Sequence, residues 1–194
     1  MPANDVGYAY DAIGNRETWT QGDGPTYDME ATYDANALNQ YTGSVIDRGT
    51  GQDVEQRFIY DEDGNLTDQY IAGDTDCDGD VDFDDITAFY VALNGRLAYE
   101  AAYPYCEWLS ADVDGDGDVD LDDFNPFYSL LGNGGGMSWH YTWDAENRLI
   151  GVEPLAEPME GFQKVSFGYD VMGRGGLPGV RRLMVEVGEL GENE

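Results

Sequence analysis

Residues 58–70 read FIYDEDGNLTDQY, and this stretch contains the pattern that decides the fold. An aromatic and β-branched run ends at Tyr60-Asp61, Gly64 follows three residues after the aspartate, and a second run of strand-forming residues completes the unit. Aromatic and β-branched residues favour a half-buried strand. Aspartate favours a turn because its side chain accepts hydrogen bonds from backbone amides just ahead of it, and glycine permits a positive φ. The stretch therefore predicts a β-hairpin.

Four other segments share this pattern: residues 8–20, 31–43, 141–153 and 167–176, which centre on Asp11, Asp34, Asp144 and Asp170. Three residues after the aspartate, most copies carry a residue type that tolerates a positive φ, namely Gly14, Asn147 or Gly173. The second copy has Ala37 there and does not fit. A last strand is predicted at residues 181–187. Together the copies predict a mainly β fold of consecutive antiparallel hairpins.

The Tyr-Asp-x-x-Gly-Asn/Arg pattern resembles the YD repeats of RHS proteins, over residues 6–71 and 137–175. Members of that family are large secreted or surface-exposed polypeptides whose hairpins spiral into a shell. The resemblance therefore implies an extracellular or cell-surface location and a longer parent polypeptide. The first residues show neither the basic region nor the apolar region of a secretory signal. That absence says little about location, because the chain is expected to be part of a longer polypeptide.

The spacing of the repeats predicts an inserted segment. Successive repeat aspartates are 23, 27, 83 and 26 residues apart, so one interval is far longer than the rest. Domain insertions are tolerated where the ends of the inserted segment lie close together. We predict hairpins in residues 1–71, an inserted module in residues 72–136 at a hairpin tip, and hairpins with a C-terminal tail in residues 137–194.

Two twelve-residue stretches within that module, 74–85 and 112–123, each contain seven aspartates. Both have Asp at positions 1, 3, 5, 7 and 12, Gly at position 6 and Val at position 8, which is the spacing of an EF-hand calcium loop with Asp in place of Glu at position 12. The predicted ligands of two Ca²⁺ ions are Asp74, Asp76, Asp78, Asp80 and Asp85 in the first loop and Asp112, Asp114, Asp116, Asp118 and Asp123 in the second. We expect the valines at position 8 to pack on each other and the hairpins to be indifferent to calcium. The alternatives are a solvated acidic face and a helix-free calcium repeat.

Apolar residues at helical spacing follow each loop, and they favour a loop–helix unit over a helix-free repeat. They are Ile86, Phe89, Tyr90 and Leu93 after the first loop and Phe124, Phe127, Tyr128 and Leu131 after the second. A short linking helix is predicted near residues 97–103. The duplicated unit resembles a type I dockerin over residues 72–132. That resemblance implies two bound calcium ions, a cohesin-like partner and an association with polysaccharide degradation. Positions 10 and 11, Phe83-Asp84 and Leu121-Asp122, depart from the small polar pairs of cellulosomal dockerins, so cohesin recognition does not follow from the resemblance.

Cys77 and Cys106 are the only cysteines. An exported family and the confinement of both residues to one small module favour a disulfide, which requires an oxidising compartment. Two free buried thiols are the alternative.

The net charge of −31, from 40 acidic and 9 basic residues, disfavours nucleic acid and anionic membrane surfaces as partners. No apolar run approaches the roughly 18–20 residues of a membrane span. The lone histidine, His140, is predicted to be a strand residue packed beside Trp139 and Trp143, and no catalytic constellation can be assembled around it.

Three functions remain. The first is a calcium-binding, non-catalytic fragment of an RHS-type protein, and the second is a dockerin-type docking module of a polysaccharide-degrading assembly. The third, a carbohydrate-degrading enzyme, is disfavoured because no catalytic domain is left over.

Overall fold

The computed structural model describes residues 5–22, 28–49, 53–133, 135–156 and 164–169. Nine strands in these residues form one antiparallel sheet in which every strand pairs with its neighbours in the chain. The strands are β1 (Asp5–Tyr10), β2 (Arg16–Gly22), β3 (Met29–Ala35), β4 (Tyr41–Asp47), β5 (Val54–Tyr60), β6 (Leu66–Ile71), β7 (Trp139–Trp143), β8 (Leu149–Pro154) and β9 (Val165–Ser166). The prediction of a mainly β fold of consecutive antiparallel hairpins is confirmed for this part of the chain.

The repeat aspartates form the hairpin turns by accepting backbone hydrogen bonds. In the turn after β1, Oδ1 of Asp11 accepts from the amides of Ile13 and Asn15 at 2.9 and 2.8 Å. The carboxylates of Asp61 and Asp144 accept the same pair of bonds in the turns after β5 and β7. Three residues after each aspartate the backbone has a positive φ, at Gly14, Gly64 and Asn147.

The second turn is centred two residues later than predicted. Oδ1 of Asn36 accepts from the amides of Leu38 and Gln40 at 2.8 and 3.1 Å, and Asn39 has φ 64°. Asp34 instead lies within β3, paired with Gly43. The prediction of a turn at Asp34 is wrong because an asparagine side chain forms the same turn as aspartate. Asn36 also places Asn39, rather than Ala37, at the residue that needs a positive φ.

The fifth repeat is described only in part. β9 pairs with β8, and the hydroxyl of Tyr169 donates to the carbonyl oxygen of Leu149 at 2.9 Å. Asp170, Gly173 and the strand predicted at residues 181–187 lie outside the described residues.

The helices of the described chain all lie between β6 and β7, in residues 72–138, which we call the helical segment. They are α1 (Asp85–Ala92), α2 (Arg96–Ala102), a 3₁₀ helix (Trp108–Ala111) and α3 (Phe124–Leu130). β6 and β7 still pair with each other, through Asp68 with His140 and Gln69 with Trp139. Because the aspartate turns follow odd-numbered strands, the helical segment lies at the opposite end of the sheet from them. No helix in the described residues is long and apolar enough to span a membrane.

Two apolar clusters hold the helical segment. The larger one surrounds Phe89 and Phe127, whose rings stack 4.3 Å apart and 7° from parallel, and its other buried members are Ala88, Ala92, Tyr99, Ala111 and Val113. The smaller cluster consists of Val54, Ile71 and Val81, with Ile46 and Leu130 packed against it. The smaller cluster therefore joins the helical segment to β5 and β6 through buried side chains and to β4 through Ile46.

The buried face of α1 differs from the predicted one. Asp85, Ala88, Phe89 and Ala92 are buried, whereas Tyr90 is 53 % exposed. On α3, Phe127 is buried and Tyr128 is 65 % exposed. The inclusion of both tyrosines in the core face is wrong. On α1 the buried stripe contains Ala88, Phe89 and Ala92 and is shifted by about one residue from the predicted one.

Candidate metal centre

The carboxylate at position 12 closes the first acidic loop. Oδ1 of Asp85 accepts from the amides of Thr75 and Asp76 at 2.6 and 3.0 Å, and its Oδ2 accepts from the amide of Asp82 at 2.8 Å. Asp85 itself is completely buried. One side chain therefore fixes both the beginning and the end of the loop around an acidic interior.

The second loop repeats this arrangement bond for bond. Oδ1 of Asp123 accepts from the amides of Val113 and Asp114 at 2.7 and 3.0 Å, and its Oδ2 accepts from the amide of Asp120 at 2.9 Å. A solvated acidic face requires no such shared geometry. The duplication therefore favours two built loops over a run of surface charge.

Positions 1, 3 and 12 converge in both loops. Carboxylate oxygens of Asp74, Asp76 and Asp85 lie within 4.8 Å of one another, and those of Asp112, Asp114 and Asp123 do the same. A further group at the same separation, Asp80 with Asp82 and Asp85, shares the position-12 carboxylate of the first loop.

The other predicted ligands occupy different places. The carboxylate of Asp78 accepts from the amide of Asp80 at 3.2 Å, and that of Asp116 accepts from the amide of Asp118 at 3.1 Å. Within the described residues, Asp78, Asp116 and Asp118 do not belong to the groups of converging carboxylate oxygens. Asp82, at position 9, was not predicted. The spacing of the loop could have indicated Asp82 as a ligand, since position 9 of an EF-hand loop often contributes through water.

The first loop contains an unsatisfied acceptor. Asp74 is only 3 % exposed, and its Oδ1 has no hydrogen-bond partner. Burial, reinforced by the charge of Asp85, raises the pKa of Asp74 to about 8, and burial raises the pKa of Asp85 to about 6. Buried polar atoms are nearly always paired. An orphaned carboxylate oxygen beside two other carboxylates is therefore suited to a hard cation, and the donor set fits one.

The second loop differs at the same position. Oδ1 of Asp112 accepts from the amides of Gly115 and Asp116 at 2.8 and 3.1 Å, and its Oδ2 accepts from the amide of Gly117 at 3.0 Å. Position 4 is Gly115 here but Cys77 in the first loop. The two candidate sites are therefore not equivalent, because only the first leaves its position-1 carboxylate with an orphaned oxygen.

The two valines at position 8 lie in different clusters. Val81 packs with Val54 and Ile71, whereas Val119 packs against the cluster around Phe89. Val81 also accepts a hydrogen bond at its carbonyl oxygen from the amide of Gly132 at 2.7 Å. The prediction that the valines pack on each other is wrong, because the chain that follows α3 takes the place expected for the second loop.

Cys77 and Cys106 are joined by a disulfide, with their Cα atoms 5.7 Å apart. Cys77 has φ 62°, which is uncommon for a residue with a side chain. The bridge ties position 4 of the first loop to the chain between α2 and the 3₁₀ helix.

We expect Cys77 and Cys106 to be bridged in protein made under oxidising conditions. In the chain-entropy model, a bridge across 29 residues stabilises by about 3–4 kcal/mol. Thiol labelling of the denatured, unreduced chain is the measurement. Two reactive thiols per chain would show that the bridge does not form.

Without metal, the helical segment should lose stability as the pH rises. The pKa values of Asp74 and Asp85, about 8 and about 6, exceed the ordinary value of 3.8, so the folded state binds protons more tightly than the unfolded state between these values. The free energy of unfolding therefore falls with rising pH over about pH 4–8, by at most about 1.4 kcal/mol per pH unit for each proton. The helical circular dichroism of the chain in chelator, measured from pH 4 to pH 8, tests this, and the helical signal should fall as the pH rises. A rise in stability over the same range would contradict it.

The lone histidine belongs to the sheet. Nδ1 of His140 lies 2.7 Å from Oδ1 of Asp68 on the neighbouring strand. Strand residues alternate between faces, so His140 and the preceding Trp139 lie on opposite faces of the sheet, and the prediction that these two side chains pack together is wrong.

Comparison with known proteins does not assign the chain to a family, since no protein-family model and no curated protein matches it.

Proposed function

We propose that this chain is a calcium-binding, non-catalytic fragment of a secreted or cell-surface RHS-type repeat protein. Residues 72–136 act in it as a dockerin-like module that binds two Ca²⁺ ions. The observation that carries the proposal is the duplicated convergence of positions 1, 3 and 12, together with the buried and unpartnered Oδ1 of Asp74.

The donor chemistry supports calcium over other metals. Both loops offer carboxylate and backbone oxygens, which are the ligands of hard cations, and Ca²⁺ accepts six to eight of them whereas Mg²⁺ keeps several waters. Zinc prefers nitrogen and sulfur ligands. Here His140 is paired on the sheet and both cysteines are in the disulfide.

The residues have distinct roles in this proposal. Asp74 and Asp112 anchor the ion from the start of each loop, and Asp76 and Asp114 add a second carboxylate. Asp85 and Asp123 bind from position 12 while they hold the loop closed through backbone amides. A bound cation neutralises the repulsion among these carboxylates.

Calorimetric titration of the chain with calcium tests the proposal directly. We expect two ions per chain, with dissociation constants near or below the 10⁻⁴–10⁻³ M typical of extracellular modules. Replacing Asp74 and Asp112 together by alanine should abolish binding. The matched control replaces Asp84 and Asp122, which are exposed and lie outside the oxygen groups. It removes the same charge and should still bind two ions. Equal binding by the two double variants would exclude these loops as the site.

A second candidate function is docking to a cohesin-like partner within a polysaccharide-degrading assembly. The observation that favours docking is a duplicated exposed apolar residue at position 10, since Phe83 is 73 % exposed and Leu121 is 76 % exposed. Because these residues replace the small polar pairs of cellulosomal dockerins, the partner should present an apolar surface. Capture on a panel of cohesin modules, with and without calcium, tests this function. Replacement of Phe83 and Leu121 by serine should abolish capture without changing calcium binding.

A further inference from the structure

The side chain at position 8 of the first loop is shared with the sheet. Val81, Val54 of β5 and Ile71 of β6 are each almost completely buried and form one cluster. The loop therefore completes an apolar core whose other buried members belong to two strands. If the loop opened, Val81 would leave that core, and both strands would lose their buried contact.

Arg57 on β5 provides a second link, to the other loop. Its Nη2 donates to the carbonyl oxygen of Val113 at 3.3 Å, and its guanidinium lies so close to Gly115 that a Cβ built there would be 3.1 Å from Nη1. The amide on the other side of the same peptide bond, that of Asp114, donates to Oδ1 of Asp123 at 3.0 Å. One peptide unit of the second loop is thus bound both by the position-12 carboxylate and by the sheet.

The connection between β6 and the first loop is short, and its backbone is hydrogen-bonded. Only Ala72 and Gly73 separate Ile71 from Asp74, and the amides of both residues are bonded, to the carbonyl oxygen of Glu55 at 2.9 Å and to that of Ser110 at 2.7 Å. Gly73 has φ 89°, and a Cβ at that position would lie 3.0 Å from a methyl carbon of Val81. The orphaned carboxylate of Asp74 is therefore held rigidly to the end of β6.

We infer that the β5–β6 hairpin and the two acidic loops form one cooperative unit, so that calcium occupancy of the loops sets the local stability of these two strands. The inference rests on the proposed calcium function. It contradicts the prediction that all the hairpins are indifferent to calcium, because Val81 and Arg57 connect the two loops to β5 and β6. The strands at the far edge of the sheet, β1 and β2, share no such contact among the described residues. We expect them to remain indifferent.

Hydrogen exchange of the full chain, followed by mass spectrometry with calcium and with chelator, tests the inference. Regions of low local stability exchange through local opening. Chelation should speed exchange in Val54–Tyr60 and Leu66–Ile71 by about tenfold or more, and should leave Asp5–Tyr10 and Arg16–Gly22 unchanged. Calcium binding is measured by calorimetry on the same sample.

The outcomes separate the inference from the proposed function. If calorimetry shows binding but exchange in β5 and β6 is unchanged, the inference is wrong and the calcium function stands. If no binding is measured, the proposed function itself fails. An equal response in β1 and β2 would indicate global unfolding, and the claim of a local unit would also be wrong.

A pair of valine variants tests the route of the coupling. Val81→Ala removes the shared side chain, and the control Val119→Ala makes the same change at position 8 of the other loop, which packs within the helical segment. We expect Val81→Ala to bind calcium but to lose most of the exchange response in β5 and β6, whereas Val119→Ala retains it. An undiminished response in Val81→Ala overturns the inference. If that variant does not fold, Arg57→Met serves instead, because it removes the donor to Val113 and should reduce the response.

Discussion

Chelation of calcium is expected to abolish the helical fold of residues 72–136 while strands β1 to β4 stay paired. Like charges about 4–6 Å apart repel by roughly 0.7–1 kcal/mol even at the dielectric constant of water, and each loop contains seven aspartates. The helices have only 8, 7 and 7 residues. Isolated helices of that length are not stable in water, so they depend on the core around Phe89 and Phe127. We expect this core to form only when both loops are closed. Binding and folding of the helical segment should therefore be coupled.

Circular dichroism and limited proteolysis of the full chain measure this effect. We expect loss of helical signal and rapid cleavage within residues 72–136 in chelator, both reversed by calcium. The variant Asp74→Ala with Asp112→Ala should behave in calcium as the unsubstituted chain does in chelator, and Asp84→Ala with Asp122→Ala should not. Identical helicity and protease resistance in the two conditions would exclude calcium-coupled folding.

The sequence predicted the features that depend on neighbouring residues. The turns at Asp11, Asp61 and Asp144 are made by one side chain and the amides two and four residues ahead of it. The twelve-residue spacing likewise brings positions 1, 3 and 12 together through local hydrogen bonds. Where two turn-forming residues competed, as at Asp34 and Asn36, local pattern alone did not decide between them.

The features that depend on distant contacts could not be predicted in this way. Val81 and Val119 occupy equivalent positions in the sequence pattern, yet the first packs on the sheet and the second on the helices. The difference arises because β5 and β6 bury an apolar surface beside the first loop only. Asp74 and Asp112 are likewise equivalent in the sequence pattern, yet Oδ1 of Asp74 has no hydrogen-bond partner whereas both oxygens of Asp112 accept from backbone amides.

The substitution Phe89→Ala, on the buried face of α1, is expected to have a similarly large effect on the stability of the helical segment. Phe89 is fully buried and stacks on Phe127 with the ring centroids 4.3 Å apart. Removing a buried phenylalanine side chain typically costs about 3–5 kcal/mol, because apolar burial is lost and a cavity remains. We expect a decrease of that size in the free energy of unfolding of the helical segment at saturating calcium. Because folding and binding are coupled, calcium affinity should fall as well.

The neighbouring Tyr90→Ala provides the matched control, since it removes an aromatic ring from the same helix at a position that is 53 % exposed. Surface substitutions usually change stability by about 0.5 kcal/mol or less. Denaturant unfolding in calcium can be followed by helical circular dichroism, because the helices of the described residues all lie in the helical segment. A large loss from Phe89→Ala with little loss from Tyr90→Ala places the core on the face that Ala88, Phe89 and Ala92 share. Equal losses would restore the tyrosine-containing face that the apolar spacing first indicated.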